Sequence, residues 1–413
     1  MNIRNVVVQD RNSPHHGLAV DLIIEKGMIK VITKHEGGEK SHKVVSPGLM
    51  DLSSHFNDPG VEHKEDLFSG PKTAMLGGFT DVCILPNTLP PIDNRSTLEY
   101  ILAKTAAQVT SIHPYGALSA GLKGEQLSEI FDLKAAGAIA FTDGLNPVIN
   151  SELLLKGLQY VQKFDGLIIS RPRDGSLSPG GQMNEGEMST RLGLPGISNL
   201  SEKAMIERDL SILEYAGGRL HFHAISAAES IDLIAKAKQK GLKVTCDVAL
   251  YQLLYLDEDL NDFDTVYKVD PPLRTQEDAL ALKNGLLSGT IDAISIDHRP
   301  QDEESKNLEF DLADFGMIGL QTAFSSLLKL ASESLPLELL LMKLSNGPRS
   351  IFNMPIAHIT EGVPARLAVF DIGESWTYDK KSNASKSTNS PLLGKELVGK
   401  TVAVINGEKS YFA

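Results

Sequence analysis

Metal-assisted or acid–base chemistry in this chain would begin at its histidines. The segment Asp51 to Gly60 reads D-L-S-S-H-F-N-D-P-G and follows the apolar run V-V-S-P-G-L-M, so it closes a strand. Two histidines two residues apart at a strand end face the same way and can share a divalent metal. Here His55 stands alone, with Ser53 in the earlier place. The only H-x-H in the chain is His221-Phe222-His223. Asp143, beside Gly144, and Asp297, beside His298, are further carboxylates able to bind a cation or move a proton. Arg171 and Arg173 flank Pro172, a pairing suited to a carboxylate or phosphate.

These residues need strands to present them. T-D-V-C-I-L-P, A-I-A-F-T-D, G-L-I-I-S, R-L-H-F-H-A, K-V-T-C-D-V and D-A-I-S-I-D are strand-like and separated by helical segments. One such segment, S-A-A-E-S-I-D-L-I-A-K-A-K-Q-K-G, ends at Gly241. This alternation over residues 49–354 predicts an α/β fold, a (β/α)₈ TIM-type barrel with its chemistry at the C-terminal strand ends. Residues 1–48 and 355–413 read as short strands forming a composite small β domain. D-L-I-I-E-K-G-M-I-K-V-I is a hairpin around a Gly-containing turn, and Asn406-Gly407 is a tight-turn signature. Y-D-K-K-S-N-A-S-K-S-T-N-S-P reads as a polar loop without core-forming residues.

A chain of 413 residues accommodates a barrel and a smaller domain. Its net charge of −13 argues against nucleic acid or an anionic membrane as partner. Cys83 and Cys246 lie in separate apolar runs, which predicts no disulfide framework and a reducing compartment. The N-terminus lacks the apolar core of a signal peptide and no run is long enough to span a bilayer, so a cytoplasmic location is expected.

P-G-L-M-D-L-S-S-H-F-N-D-P-G, G-G-F-T-D-V-C-I-L-P-N-T-L-P-P-I-D-N and D-P-P-L-R-T-Q-E-D together resemble the dihydroorotases, cyclic amidohydrolases of pyrimidine synthesis. G-Q-M-N-E-G, G-T-I-D-A-I-S-I-D-H and N-S-P-L-L-G-K-E-L-V-G-K extend the likeness nearly end to end. The resemblance implies an amidohydrolase-type barrel with a small β-sandwich domain made from both chain ends. It also implies reversible closure of N-carbamoyl-L-aspartate to dihydroorotate, with zinc polarising the amide and an aspartate shuttling the proton.

The chain departs from that family pattern at the metal positions. In D-x-H-x-H-x-R, Ser53 replaces the first histidine, His55 keeps the second, and Asn57 replaces the arginine for the substrate carboxylate. Asn87 of P-N-T stays as a substrate-binding amide, and Asp143 is the acid left where S-D-D-G is usual. Arg171 stands where H-A-E-D supplies a ligand histidine, and a guanidinium repels a divalent cation. Ala224 occupies another histidine's place, and Leu250-Tyr251-Gln252 stands where P-H-H is usual, while Asp297 keeps the catalytic aspartate's position. The metal remnants are thus His55 and Asp143. A one-residue shift would turn His223 inward and partly rescue the site.

Plainer structural roles compete with these. His55 can hydrogen-bond within a polar mouth, Asp143 can cap its own turn, and Asn87-Thr88 can close a loop. Asp297 can pair with Arg171 or His298, and His221 and His223 can pack under the helical layer. With ligands lost on three strands and one charge inverted, the expected function is a dihydroorotase-like protein with little or no catalysis. Relatives of that kind associate with aspartate carbamoyltransferase as structural subunits, so that partner and a homo-oligomer are expected. The alternatives are an active zinc-dependent cyclic amidohydrolase with a rearranged site, and a metal-free protein whose Arg171 and Arg173 hold an anion.

Overall fold

A computed structural model describes residues 1–37 and 41–413. Its centre is a closed parallel barrel. The strands Leu49–Ser54, Phe79–Ile84 and Ser111–Pro114 pair in order, and Gly116–Ala117 continues the third beyond Tyr115. Phe141–Thr142, Ile168–Ser170, Leu220–Phe222, Val244–Ala249 and Ala293–Ser295 complete the circle. Closure runs through His298, whose N–H donates to Ser53 O at 3.1 Å and whose carbonyl accepts from His55 N at 2.9 Å.

Alternation along each strand decides what faces inward. Cys83, Leu85, Leu167 and Ile169 join Met50, Leu52 and Tyr115 inside the barrel. Their neighbours Val82, Ile84 and Ile168 face outward into the layer under the helices. One of those helices, Ala228–Gln239, ends just before Gly241, whose φ of +84° suits a residue without Cβ.

Strands from both chain ends form one seven-stranded mixed sheet. Its order places Lys43–Pro47 between Arg366–Tyr378 and Asn2–Val8. Val6, Leu22, Ile29, Val45, Leu367 and Ile405 build its own core. Ala19–Glu25 and Met28–Lys34 form the expected hairpin, turning at Lys26-Gly27. In the C-terminal hairpin, Asn406 pairs with Lys409, so the turn residues are Gly407-Glu408, one place later than the Asn-Gly pair suggested. Gly407 takes the positive φ there.

The polar loop before Pro391 corrects its sequence reading. Ser385, Ser387, Asn389 and Ser390 are buried against the barrel mouth. Asn389 donates to Arg299 O at 2.9 Å and accepts from Gln301 N at 3.1 Å. Ser385 donates to the buried carboxylate of Glu65. The loop is covered through hydrogen bonds rather than apolar contacts, which a composition reading cannot register.

Candidate functional site

The C-terminal strand ends converge on Asp297. Its Oδ1 accepts from Ser53 Oγ at 3.1 Å and its Oδ2 from Tyr251 O–H at 3.0 Å. Arg171 Nη2 lies 3.9 Å from Oδ2, and His223 Nε2 lies 3.5 Å from Oδ1. Asp297 therefore pairs with Arg171 and not with His298, whose Nε2 faces Glu65 at 3.5 Å. Arg171 also donates to Asp270 O, while Arg173 Nη1 meets Asp270 Oδ1 at 2.9 Å. Both arginines are thus committed to one carboxylate residue. Burial disfavours the charge on Asp297, but Arg171 and His223 outweigh it and hold the carboxyl well below its usual range.

His221 and His223 overturn the reading that placed them under the helices. Both line the barrel's central cavity with Arg171. His221 Nε2 stands 3.2 Å and His223 Nδ1 3.0 Å from Asp247 Oδ1. They do share one side, but it is the inward one. The strand ends at Phe222, and Ala224 adopts φ +54°, turning its N–H onto Asp247 at 2.8 Å. Alternation therefore cannot be carried back from residue 224. Burial opposes a charge on His223, yet Asp247 and Asp297 raise its pKa to about 9.

The remaining predicted site residues serve neighbouring loops. His55 Nε2 faces Asn87 O at 2.7 Å, and burial lowers its pKa to about 4, so the ring is neutral. Asn87 donates to Asp143 O at 3.2 Å and accepts from Leu145 N at 3.1 Å, which uses both ends of its amide. Asn57 is buried at φ +55° and donates weakly to His55 O at 3.4 Å. Asp143 does not cap its own turn with its side chain; its carboxylate accepts from Ser119 N at 2.8 Å and from the Ser119 hydroxyl. Ala224 packs among Met183, Met188 and Tyr251.

Sequence reasoning missed Asp247, Asp270 and the role of Tyr251. A lone acid inside the apolar strand K-V-T-C-D-V was the available signal for Asp247. One of the motifs that carried the family likeness holds a second one in place. Arg274 of D-P-P-L-R donates to Asn184 Oδ1 at 2.9 Å and Ile197 O at 2.6 Å, binding the M-N-E-G loop in place.

A family model described as "Dihydro-orotase-like" matches residues 42–230. A dihydroorotase of Syntrophus aciditrophicus is 40% identical over 94% of this chain and 93% of its own. One from Geobacter metallireducens is 39% identical over 96% of each. The chain belongs to the dihydroorotase family. The fold is shared more widely. An L-hydantoinase from Arthrobacter aurescens superposes with a TM-score of 0.85 at 21% identity, covering 99% of this chain and 95% of that one. A Thermus D-hydantoinase gives 0.80 at 17%, covering 100% and 96%.

Within a dihydroorotase-family barrel, this mouth is an internally neutralised ion network. Three backbone positions at its rim, Asn57, Ala224 and Asp297, hold positive φ without being glycine. Such strain is characteristic of functional strand ends. The space left is small. The cavity among Leu52, Leu85, Tyr115, Ile169, Arg171 and His223 has a free volume of about 10 Å³, the room of one water. A second, also about 10 Å³, lies between Arg171, Arg173, Asp270 and Arg274.

Proposed function

We propose that this member of the dihydroorotase family no longer closes or opens the dihydroorotate ring and acts as a structural subunit in pyrimidine synthesis, with aspartate carbamoyltransferase as its partner. One observation carries the reading. Asp297, the surviving catalytic position, is neutralised by the fixed charge of Arg171 and hydrogen-bonded by Ser53 and Tyr251. The donor set does not fit zinc. A tetrahedral site needs three or four good ligands, and a guanidinium repels the ion. His55 faces a carbonyl and Asp143 faces Ser119. Among the described residues, no three His, Cys, Asp or Glu side chains are arranged to hold a metal ion; His221 and His223 turn ring nitrogens onto Asp247 instead.

The chemistry of the remaining groups agrees. A general base works best with a pKa near the working pH, and Asp297 is held far below it. The arginines committed to Asp270 leave no room beside them for a substrate carboxylate or a phosphate. A small-molecule site commonly occupies about 300 Å³ or more. A cavity of that scale, about 450 Å³, is lined by Leu254, Lys329, Leu397 and Val398 and contains none of the site residues.

Metal analysis of the purified protein and an assay of dihydroorotate turnover with added zinc test the proposal. We expect substoichiometric zinc and a rate equal to the uncatalysed reaction. Stoichiometric zinc with turnover would establish the alternative, a rearranged but active cyclic amidohydrolase. Copurification with the transcarbamoylase at micromolar concentrations tests the structural role. No helix among the described residues is long and apolar enough to cross a membrane, so the assembly is sought among extracted proteins without detergent.

A further inference from the structure

We infer that the rim of the barrel mouth formed by residues 257–267 and 302–314 is a docking surface for a protein that presents basic side chains around an apolar centre. The inference rests on the proposal that the transcarbamoylase is the partner, and assigns the face it uses. Apolar exposure is the first support. Phe263 is 45% exposed, Leu308 45% and Leu312 63%. They gather about one buried ring. Phe263 meets Phe310 edge-on with centroids 6.4 Å apart, and Leu308 and Leu312 stand two residues to either side of Phe310. The two segments are tied together: Thr265 Oγ1 donates to Lys306 O at 2.6 Å, and Lys268 Nζ to Phe310 O at 2.6 Å. Large apolar side chains clustered on a surface and rimmed by polar groups mark protein contacts.

Charge selects the occupant. Five of the eight residues 257–264 are acidic, and so are six of the thirteen residues 302–314. The one base among them, Lys306, is buried with its amine on the carbonyls of Lys268 and Asp314. Asp302, Glu303 and Asp314 meet His63, Lys380 and Lys64. Glu258, Asp262, Glu304, Glu309 and Asp311 are exposed and, among the described residues, form no ion pair. The apolar centre thus sits in a negative field, which steers a basic surface toward it and fixes its register. A second copy of this chain is disfavoured, because a twofold contact would set these acids against one another. Nucleic acid would be repelled in the same way. A recess of about 260 Å³ between the segments, lined by Thr265, Asp302, Glu303, Lys306 and Asn307, has room for one partner side chain.

Affinity measurements with the purified transcarbamoylase of the same organism test the face. Binding to the unaltered chain is expected to weaken about tenfold between roughly 50 and 500 mM sodium chloride. Leu312→Glu, and Glu309→Lys combined with Asp311→Lys, are each expected to weaken it by about tenfold or more. Tyr215→Glu, at an 80% exposed tyrosine on the helix Asn199–Ala216, is expected to leave it unchanged. Carbodiimide coupling of the unaltered complex, which joins carboxylates to amines in contact, gives a readout free of variants. Crosslinks from Glu304, Glu309 or Asp311 to lysines of the transcarbamoylase are expected. Equal binding by the rim variants, with crosslinks only elsewhere on the chain, would overturn the docking face while leaving the transcarbamoylase proposal standing. No binding by the unaltered chain would overturn both. Self-association of the chain that Leu312→Glu abolishes would assign the face to a second copy and overturn the inference.

Discussion

Arg171 is the residue on which the site turns. Its guanidinium is buried beside Asp270 and Asp297. Removing one partner from a buried ion network leaves the other charges uncompensated, at a cost of about 3 to 5 kcal/mol. Arg171→Met is therefore expected to lower the urea midpoint by a corresponding amount without introducing turnover. His223 makes a second prediction at this scale. Its folded pKa, about 9, lies above its ordinary 6.5 because Asp247 and Asp297 outweigh burial. The native state then binds the extra proton between those values, so the stability it contributes is complete below pH 6.5 and is lost as pH rises through 9. The stability difference between the unaltered protein and His223→Gln is expected to shrink over that window. A difference that stayed constant in urea titrations from pH 6.5 to 9 would show that His223 is neutral in the fold.

Among the elements, strand ends and one loop decide the architecture of the mouth. The strand Leu220–Phe222 stops two residues short of Ala224, and the positive φ there turns its backbone N–H onto Asp247. The loop before Pro391 crosses from the seven-stranded sheet to close the mouth from above. Asn389 holds it by hydrogen bonds to residues 299 and 301, and its own carbonyl accepts from Ile318 N at 3.1 Å. Asn389→Ala leaves a buried carbonyl and N–H unpaired. We expect a loss of about 2 to 3 kcal/mol and faster amide exchange at Gln301. Unchanged exchange there would mean that the loop's backbone bonds suffice without the side chain.

At the scale of the whole molecule, the sheet and barrel are joined by apolar and ionic contacts. Phe370 of the sheet stacks on Phe324 of the helix Ala323–Glu333, with ring centroids 3.8 Å apart. At the barrel's opposite end, buried Arg349 reaches Gly48 O at 2.8 Å and Asp81 Oδ2 at 2.5 Å. These ties predict a single cooperative transition. Trp376, the only tryptophan, lies in the sheet strand Arg366–Tyr378, whereas most helical signal comes from the barrel. Urea curves from its fluorescence and from far-UV circular dichroism should coincide; two separated midpoints would show that sheet and barrel unfold independently.

The order of strands and helices, the hairpins and the family were legible in the sequence, because side-chain periodicity and turn chemistry are local. So were the identities of Ser53, Asn57, Arg171 and Ala224, on which the expected departures from the family pattern rest. The inward side of His221 and His223 was not, because it depends on where a short strand ends and on one left-handed residue beyond it. Nor were Asp247 and Asp270 as counterions, or the burial of a polar loop, because those pairings join residues far apart in the chain. Only tertiary structure decides which charges meet, since Coulomb energy depends on separation in space and on the water excluded between them.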